Sequence, residues 1–320
     1  MKVSVGIDIG GTNTVYGIVD NQGNVFCEGV ISTQDYIKVD DFISSLAQRV
    51  RSQLDSLDFD YELQGIGVGA PNANYFRGTI ENAPNLKWQG VVPFVEKMQP
   101  FFPMVPIFIT NDANAAAIGE MTYGGAKDMK DFIVITLGTG LGSGVVSGGH
   151  LVYGHDGFAG ELGHITVNHT GRICGCGRKG CLETYVSATG IKRTIFKLMA
   201  DSTAPSAFRD VSYNQLTAQM ITQAALEGDK LAIEAYEYTG MVLGHALADA
   251  AVMTSPEAIF LFGGLAKAGK YIFEPTKKYM EQHMMSNFRN KVKLLASSID
   301  GKNAAVLGAS ALVWKLCADK

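Results

Sequence analysis

The chain has 320 residues, of which 47% are hydrophobic and 18% charged, and its formal net charge is −4. That length suits two domains with sizeable cores, and the composition excludes a disordered protein. No Lys/Arg run exceeds a pair and no stretch of about 18 residues is wholly apolar, so nucleic-acid binding and a membrane span are both excluded as expectations.

Residues 1–8 lack a secretory pattern, because Asp8 interrupts the apolar run and no small-residue cleavage site follows, so a cytoplasmic protein is expected. Residues 3–9 read as a buried strand, residues 10–13 as a turn and residues 14–19 as a return strand. This is a glycine-rich hairpin, since no helix start follows the glycines. Residues 40–57 carry helical spacing at Phe42, Ile43, Leu46, Val50 and Leu54. Residues 64–70 and 105–110 are short strands, and residues 111–117 open a helix.

The opening pattern then returns. Residues 132–137 form a strand, Gly138-Thr139-Gly140-Leu141-Gly142 a turn, and residues 143–146 the return strand. Two such units suggest a duplicated fold with one phosphate loop per half. Residues 200–215 read as a surface loop, 231–253 as a long Ala- and Gly-rich helix, 258–262 as a strand ending in Gly263-Gly264, and 304–316 as a closing helix. Strands alternate with helices, so the class is α/β.

Backbone N–H groups can wrap a phosphate only where no side chain obstructs them. Asp8-Ile9-Gly10-Gly11-Thr12-Asn13 meets that requirement, with a hydroxyl as extra donor and a carboxylate able to hold Mg²⁺. The turn at 138–142 repeats the device. Taken singly, each is equally readable as a tight hairpin. Neither is a P-loop, lacking Gly-Lys-Ser/Thr, nor a dinucleotide fingerprint, since a strand follows. Together with Gly263-Gly264 they describe a chain that grips ATP.

Of the five cysteines, Cys174, Cys176 and Cys181 fall within eight positions, while Cys27 and Cys317 are isolated. An odd count with a tight cluster points to metal in a reducing compartment. With His164 they make a three-thiol, one-imidazole set suited to tetrahedral Zn²⁺, whose filled shell is structural. Buried free cysteines are the plainer alternative. Asp112 is the candidate proton acceptor for phosphoryl transfer to a hydroxyl, with Asn111 and Asn114 beside it; alone it reads as a helix N-cap.

These motifs resemble the ROK family (repressors, open reading frames and kinases) of the actin-like ATPase superfamily, from Asp8 to about Gly308. The resemblance implies two actin-like, ribonuclease H-like lobes, each a mixed sheet flanked by helices, with a cleft between them. Residues 1–115 plus about 301–320 are the expected small lobe, and 116–300 the large lobe with the zinc motif. It makes Asp112 the general base of an ATP- and Mg²⁺-dependent hexose kinase, most simply a glucokinase. Asp8, Gly10, Gly11, Thr12, Asn13, Gly138, Thr139, Gly140, Gly263 and Gly264 fall on ATP and Mg²⁺ positions. Gly69, Asn72, Asn111, Glu161, His164 and Glu183 fall on sugar positions, and His164, Cys174, Cys176 and Cys181 on the zinc signature.

One stretch departs from the pattern: Gly69-Ala70-Pro71-Asn72 carries Asn72 where glycine is usual, which leaves open whether glucose, an N-acetylhexosamine or fructose is accepted. The family also contains sugar-responsive repressors, with a helix-turn-helix before the first phosphate loop; Asp8 comes too early for one. A homodimer is the expected assembly.

Overall fold

A computed structural model describes residues 1–299, 301 and 304–318. The chain divides into two compact units: Met1–Met129 with His150–Gly160 and Ser297–Lys320, and Lys130–Gly149 with Glu161–Ala296.

The first unit is built on a mixed sheet. Strands β1 (Lys2–Ile9), β2 (Asn13–Val19) and β3 (Val25–Ser32) run antiparallel, and β4 (Glu62–Gly69) and β8 (Ile107–Thr110) extend β1 in parallel, giving the order β3-β2-β1-β4-β8. Three short strands, β5 (Ala73–Asn74), β6 (Thr79–Glu81) and β7 (Val91–Val92), make a small antiparallel sheet after β4. Side chains alternate along a strand, which sorts β1 into two faces. Val3, Val5, Ile7 and Ile9 join the core with Phe42, Ile43 and Leu46 of helix α1 (Val39–Asp55). Ser4, Gly6 and Asp8 face the other way.

On that second face lie α3 (Asp112–Thr122) and α8 (Ala304–Ala318), which pack on each other and on β4. The approach is close: a Cβ on Gly6 would lie 2.1 Å from the Val306 carbonyl oxygen, and one on Gly67 would lie 1.9 Å from that of Ala309. Only glycine fits there. Asp8 and the helix that starts at Asp112 are therefore on the same side of one sheet. Helix α2 (Phe94–Met98) and the two-residue strand β11 (His150–Leu151) complete this unit.

The second unit repeats the strand logic. Strand β9 (Phe132–Leu137) pairs antiparallel with β10 (Leu141–Ser147) and parallel with β12 (Ala258–Phe262), which pairs parallel with β13 (Lys293–Ala296). Helices α4 (Ala188–Asp201), α5 (Ala218–Leu226), α6 (Lys230–Thr254) and α7 (Lys270–His283) cover the apolar core. The Ala/Gly content of α6 reflects close packing, since a Cβ on Gly240 or Gly244 would meet α7 at under 3 Å. Side-chain oxygens cap α4, α5 and α6 from Ser187, Thr217 and Asp229. Among the described residues no helix is long and apolar enough to cross a membrane.

Candidate active site

In the first unit the parallel register sets Asp8 beside Gly69 and Gly69 beside Thr110, at the C-terminal ends of β1, β4 and β8. Open parallel sheets bind ligands at those ends. A Cβ on Gly69 would lie 3.5 Å from Asp8 Oδ1 and 3.7 Å from the Asp112 Cα, so Gly69 is the spacer between two carboxyl-bearing residues. Asn111 caps α3, its Oδ1 accepting the Ala113 N–H at 2.9 Å. The capping role open to Asp112 thus belongs to its neighbour. Asp112 is the first helical residue, at the positive end of the helix dipole, and its Oδ1 also accepts the Ala113 N–H, at 2.8 Å.

Burial raises the Asp8 carboxyl from the ordinary 3.8 to about 7, and the nearby Asp112 charge adds to the rise. Surrounding protein also pushes Asp112 up, against the Ala113 N–H that holds it down; solvent reaching its exposed side damps the rise. A raised pKa means that the folded chain holds a proton the unfolded chain has released. Asp8 therefore withdraws stability as pH rises from about 4 through about 7. The Tm of the parent protein minus that of Asp8→Asn should fall across that window in metal-free buffer. A difference flat with pH would show that Asp8 titrates normally.

The first glycine turn is braced from inside. The Gly10 N–H donates to Asn13 O at 3.0 Å, and Thr12 O accepts the Thr33 N–H at 2.8 Å. A Cβ on Gly11 would lie 2.7 Å from Asn85 O, which brings the Pro84-Asn85-Leu86 stretch against this loop. Thr12 and Asn13 stay exposed at its tip. Asn72 adopts φ +51°, the left-handed region where glycine is at ease and Asn is tolerated. Its Nδ2 donates to Glu81 O at 3.1 Å and Asn82 O at 3.3 Å, so the amide ties its own loop together.

In the second unit Gly138-Thr139-Gly140 links β9 to β10, with the Gly138 N–H donating to Gly140 O at 3.1 Å and Thr139 exposed. Gly263, at φ +103°, ends β12 against β9: a Cβ there would lie 2.7 Å from Leu137 O. Glu161 and His164 bracket a short turn at Leu162–His164. The His164, Cys174, Cys176 and Cys181 ligand atoms all lie within 4.8 Å of one another. Cys176 Sγ is 3.7 Å from Cys181 Sγ, and Cys174 Sγ is 3.7 Å from His164 Nδ1. A tetrahedral zinc, with bonds of about 2.3 Å to sulfur and 2.0–2.1 Å to nitrogen, separates its ligands by roughly 3.5–3.8 Å. The residues fit that ion. Nδ1 is the nitrogen turned toward the thiols, and Arg178 braces the knuckle by donating to His164 O at 3.1 Å and Thr166 Oγ1 at 3.0 Å.

Sequence reasoning missed three placements: Asn111 as the cap, Asn72 as a loop clamp, and Glu183 Oε2 accepting the Leu141 N–H at 3.0 Å. For Asn72 alone a signal existed, since an asparagine at a glycine position points to a positive φ.

The ROK family pattern matches residues 4–315. The chain is 33% identical over 319 residues to a glucokinase of Streptomyces coelicolor, covering 98% of both chains. A xylose repressor of Caldicellulosiruptor bescii is 33% identical over 251 residues, 78% of this chain and 62% of the repressor. Among solved structures, a ROK family glucokinase from Streptomyces griseus in complex with glucose and AMPPNP superposes with a TM-score of 0.82 at 31% identity, covering 98% of this chain and 99% of that one. The mixed sheets flanked by helices are those of the ROK sugar kinases, so the fold class expected above holds.

Proposed function

The chain belongs to the ROK family, and we propose that it is an ATP-dependent hexose kinase forming a sugar 6-phosphate, with glucose as the preferred acceptor. The observation that carries this reading is Asp112 beside Gly69 and Asp8, at the strand ends of one sheet and relieved of capping by Asn111.

The chemistry asks one carboxylate to take a proton and another to manage phosphate charge. Asp112 accepts the hydroxyl proton as the sugar oxygen attacks the γ-phosphorus; the bond from that phosphorus to the β–γ bridging oxygen breaks, and ADP leaves. Its pKa, raised by burial, makes its carboxylate a stronger base than an ordinary one. Asp8 carries the carboxylate suited to Mg²⁺, with the Thr12 and Thr139 hydroxyls at the tips of the two glycine turns as phosphate donors. Glu161, His164 and Glu183 are the polar groups assigned to sugar hydroxyls. Zinc held by the four-residue cluster would have no open coordination position; it would fix the His164 ring through Nδ1 and leave Nε2 for a hydroxyl.

The Asn72 amide decides between sugars. Both of its recorded donations go to Glu81 O and Asn82 O, which takes Nδ2 away from an N-acetyl carbonyl. A polar substituent buried without a partner costs about 1–3 kcal/mol, so glucose should exceed N-acetylglucosamine and N-acetylmannosamine by about ten-fold or more in kcat/KM. A coupled ADP assay over those sugars measures it. An N-acetylated sugar ahead of glucose by tenfold would make the protein an N-acetylhexosamine kinase. The xylose-repressor relative raises a non-enzymatic reading, and sugar binding with no ADP release for any hexose would favour it.

A further inference from the structure

Glu183 makes a contact that sugar recognition does not explain. Its Oε2 accepts the Leu141 N–H at 3.0 Å, at the start of β10, and a Cβ on Gly140 would lie 2.3 Å from that same oxygen. Residue 140 must be glycine for the carboxylate to rest there. The chain beyond Glu183 holds the same turn twice more: the Ala188 N–H donates to Gly138 O at 2.9 Å, and Thr189 Oγ1 donates to Thr139 O at 3.3 Å. The His164 arm leans on the hairpin as well. The Leu162 N–H donates to Ser143 Oγ at 3.0 Å, and a Cβ on Gly163 would lie 2.3 Å from Leu141 O.

The turn at 138–142 contains three glycines, so it orders at a high conformational cost that its own side chains cannot offset. Beyond the hairpin's own pairing, order comes from the segments around the metal ligands. Glu183 Oε1 lies 3.7 Å from Cys174 Sγ while Oε2 holds the turn, so one carboxylate touches both the thiol cluster and the glycine loop. A carboxylate accepting a backbone N–H is among the stronger hydrogen bonds.

We propose that Glu183 is a positioning residue for the 138–142 turn, through which an ordered metal cluster sets nucleotide affinity. This rests on the kinase reading, in which that turn binds phosphate.

The test is titration calorimetry with Mg²⁺ and AMPPNP on the full, zinc-loaded, sugar-free chain. Glu183→Ala should raise the Kd by about ten-fold or more, while Glu183→Gln, whose amide oxygen can still accept the Leu141 N–H, should stay within about three-fold. Ala188→Pro supplies an independent variant. Residue 188 is the first of α4, a position where proline is tolerated, and the change deletes only the N–H given to Gly138 O. Its Kd should also rise, with zinc content unchanged. Stripping zinc from the parent protein should raise the Kd in the same direction. If Glu183→Ala and Ala188→Pro both bind AMPPNP like the parent, the coupling does not exist. If the parent protein itself binds no AMPPNP, the kinase reading falls and takes this inference with it.

Discussion

Asp112→Asn should lower kcat by about 10²–10⁴-fold, the usual worth of a general base, and leave sugar affinity within a few-fold. The substitution is unusually clean here. Asn111, not Asp112, caps α3, so the helix keeps its first-turn hydrogen bond to the Asn111 side chain. An Asn at 112 retains an oxygen for the Ala113 N–H and loses only the ability to take a proton. Steady-state kinetics with glucose and ATP, and sugar binding measured separately, divide the two effects. Near-normal turnover would remove Asp112 from the mechanism, and a large loss of sugar affinity would make it a binding residue. The variant also relieves Asp8 of a neighbouring negative charge, so the Asp8 carboxyl should titrate lower in it.

Cys176→Ser should empty the metal site. Cys176 is the exposed member of the quartet, so the change removes a thiolate without opening a hole in the core. Zinc content by elemental analysis should drop from about one per chain to a small fraction, since a neutral hydroxyl is a poor substitute for a thiolate. The knuckle from His164 to Cys181 has little apolar packing of its own: Ile173, Gly175, Cys176, Gly177, Arg178 and Lys179 are all exposed. Its order depends on the ion, and amide exchange over residues 161–189 should speed up by about a hundred-fold or more while α6 and α7 stay protected. Freshly purified, unchelated parent protein without zinc would refute the site. Full zinc in the variant would take Cys176 out of the ligand set.

Much of the fold and of the candidate site is legible along the chain because it is encoded by short-range rules. The hairpin β1–β2 and its counterpart β9–β10 announce themselves by an apolar run, a glycine turn and a second apolar run. The His/Cys quartet is legible from ligand chemistry and spacing. Helix α1 shows its apolar period in full. Helices α4 and α7 carry the same period, at Ile191 and Ile195 and at Ile272 and Met280, but Gly190 in the first turn of one and Pro275 inside the other mask them. Strand β3 alternates only weakly, since it is the sheet's edge and much of it faces water.

The sequence by itself determined the α/β class, the duplicated strand–glycine–strand units, the family, and the residue types able to handle phosphate, proton and metal. Each of those depends on neighbours a few positions apart, where propensity and spacing suffice. Only the tertiary structure decided where each of those residues sits and which polar groups it meets. Parallel register, with glycines 6, 67 and 69 admitting α3 and α8, put Asp8 and Asp112 on one side of a sheet 104 positions after they diverge in the chain. A hydrogen bond across 42 positions gave one oxygen of Glu183 to Leu141, and one across nine positions gave the amide of Asn72 to Glu81. Those assignments depend on where backbone N–H and carbonyl groups end up after packing, and spacing along a chain does not contain that distance.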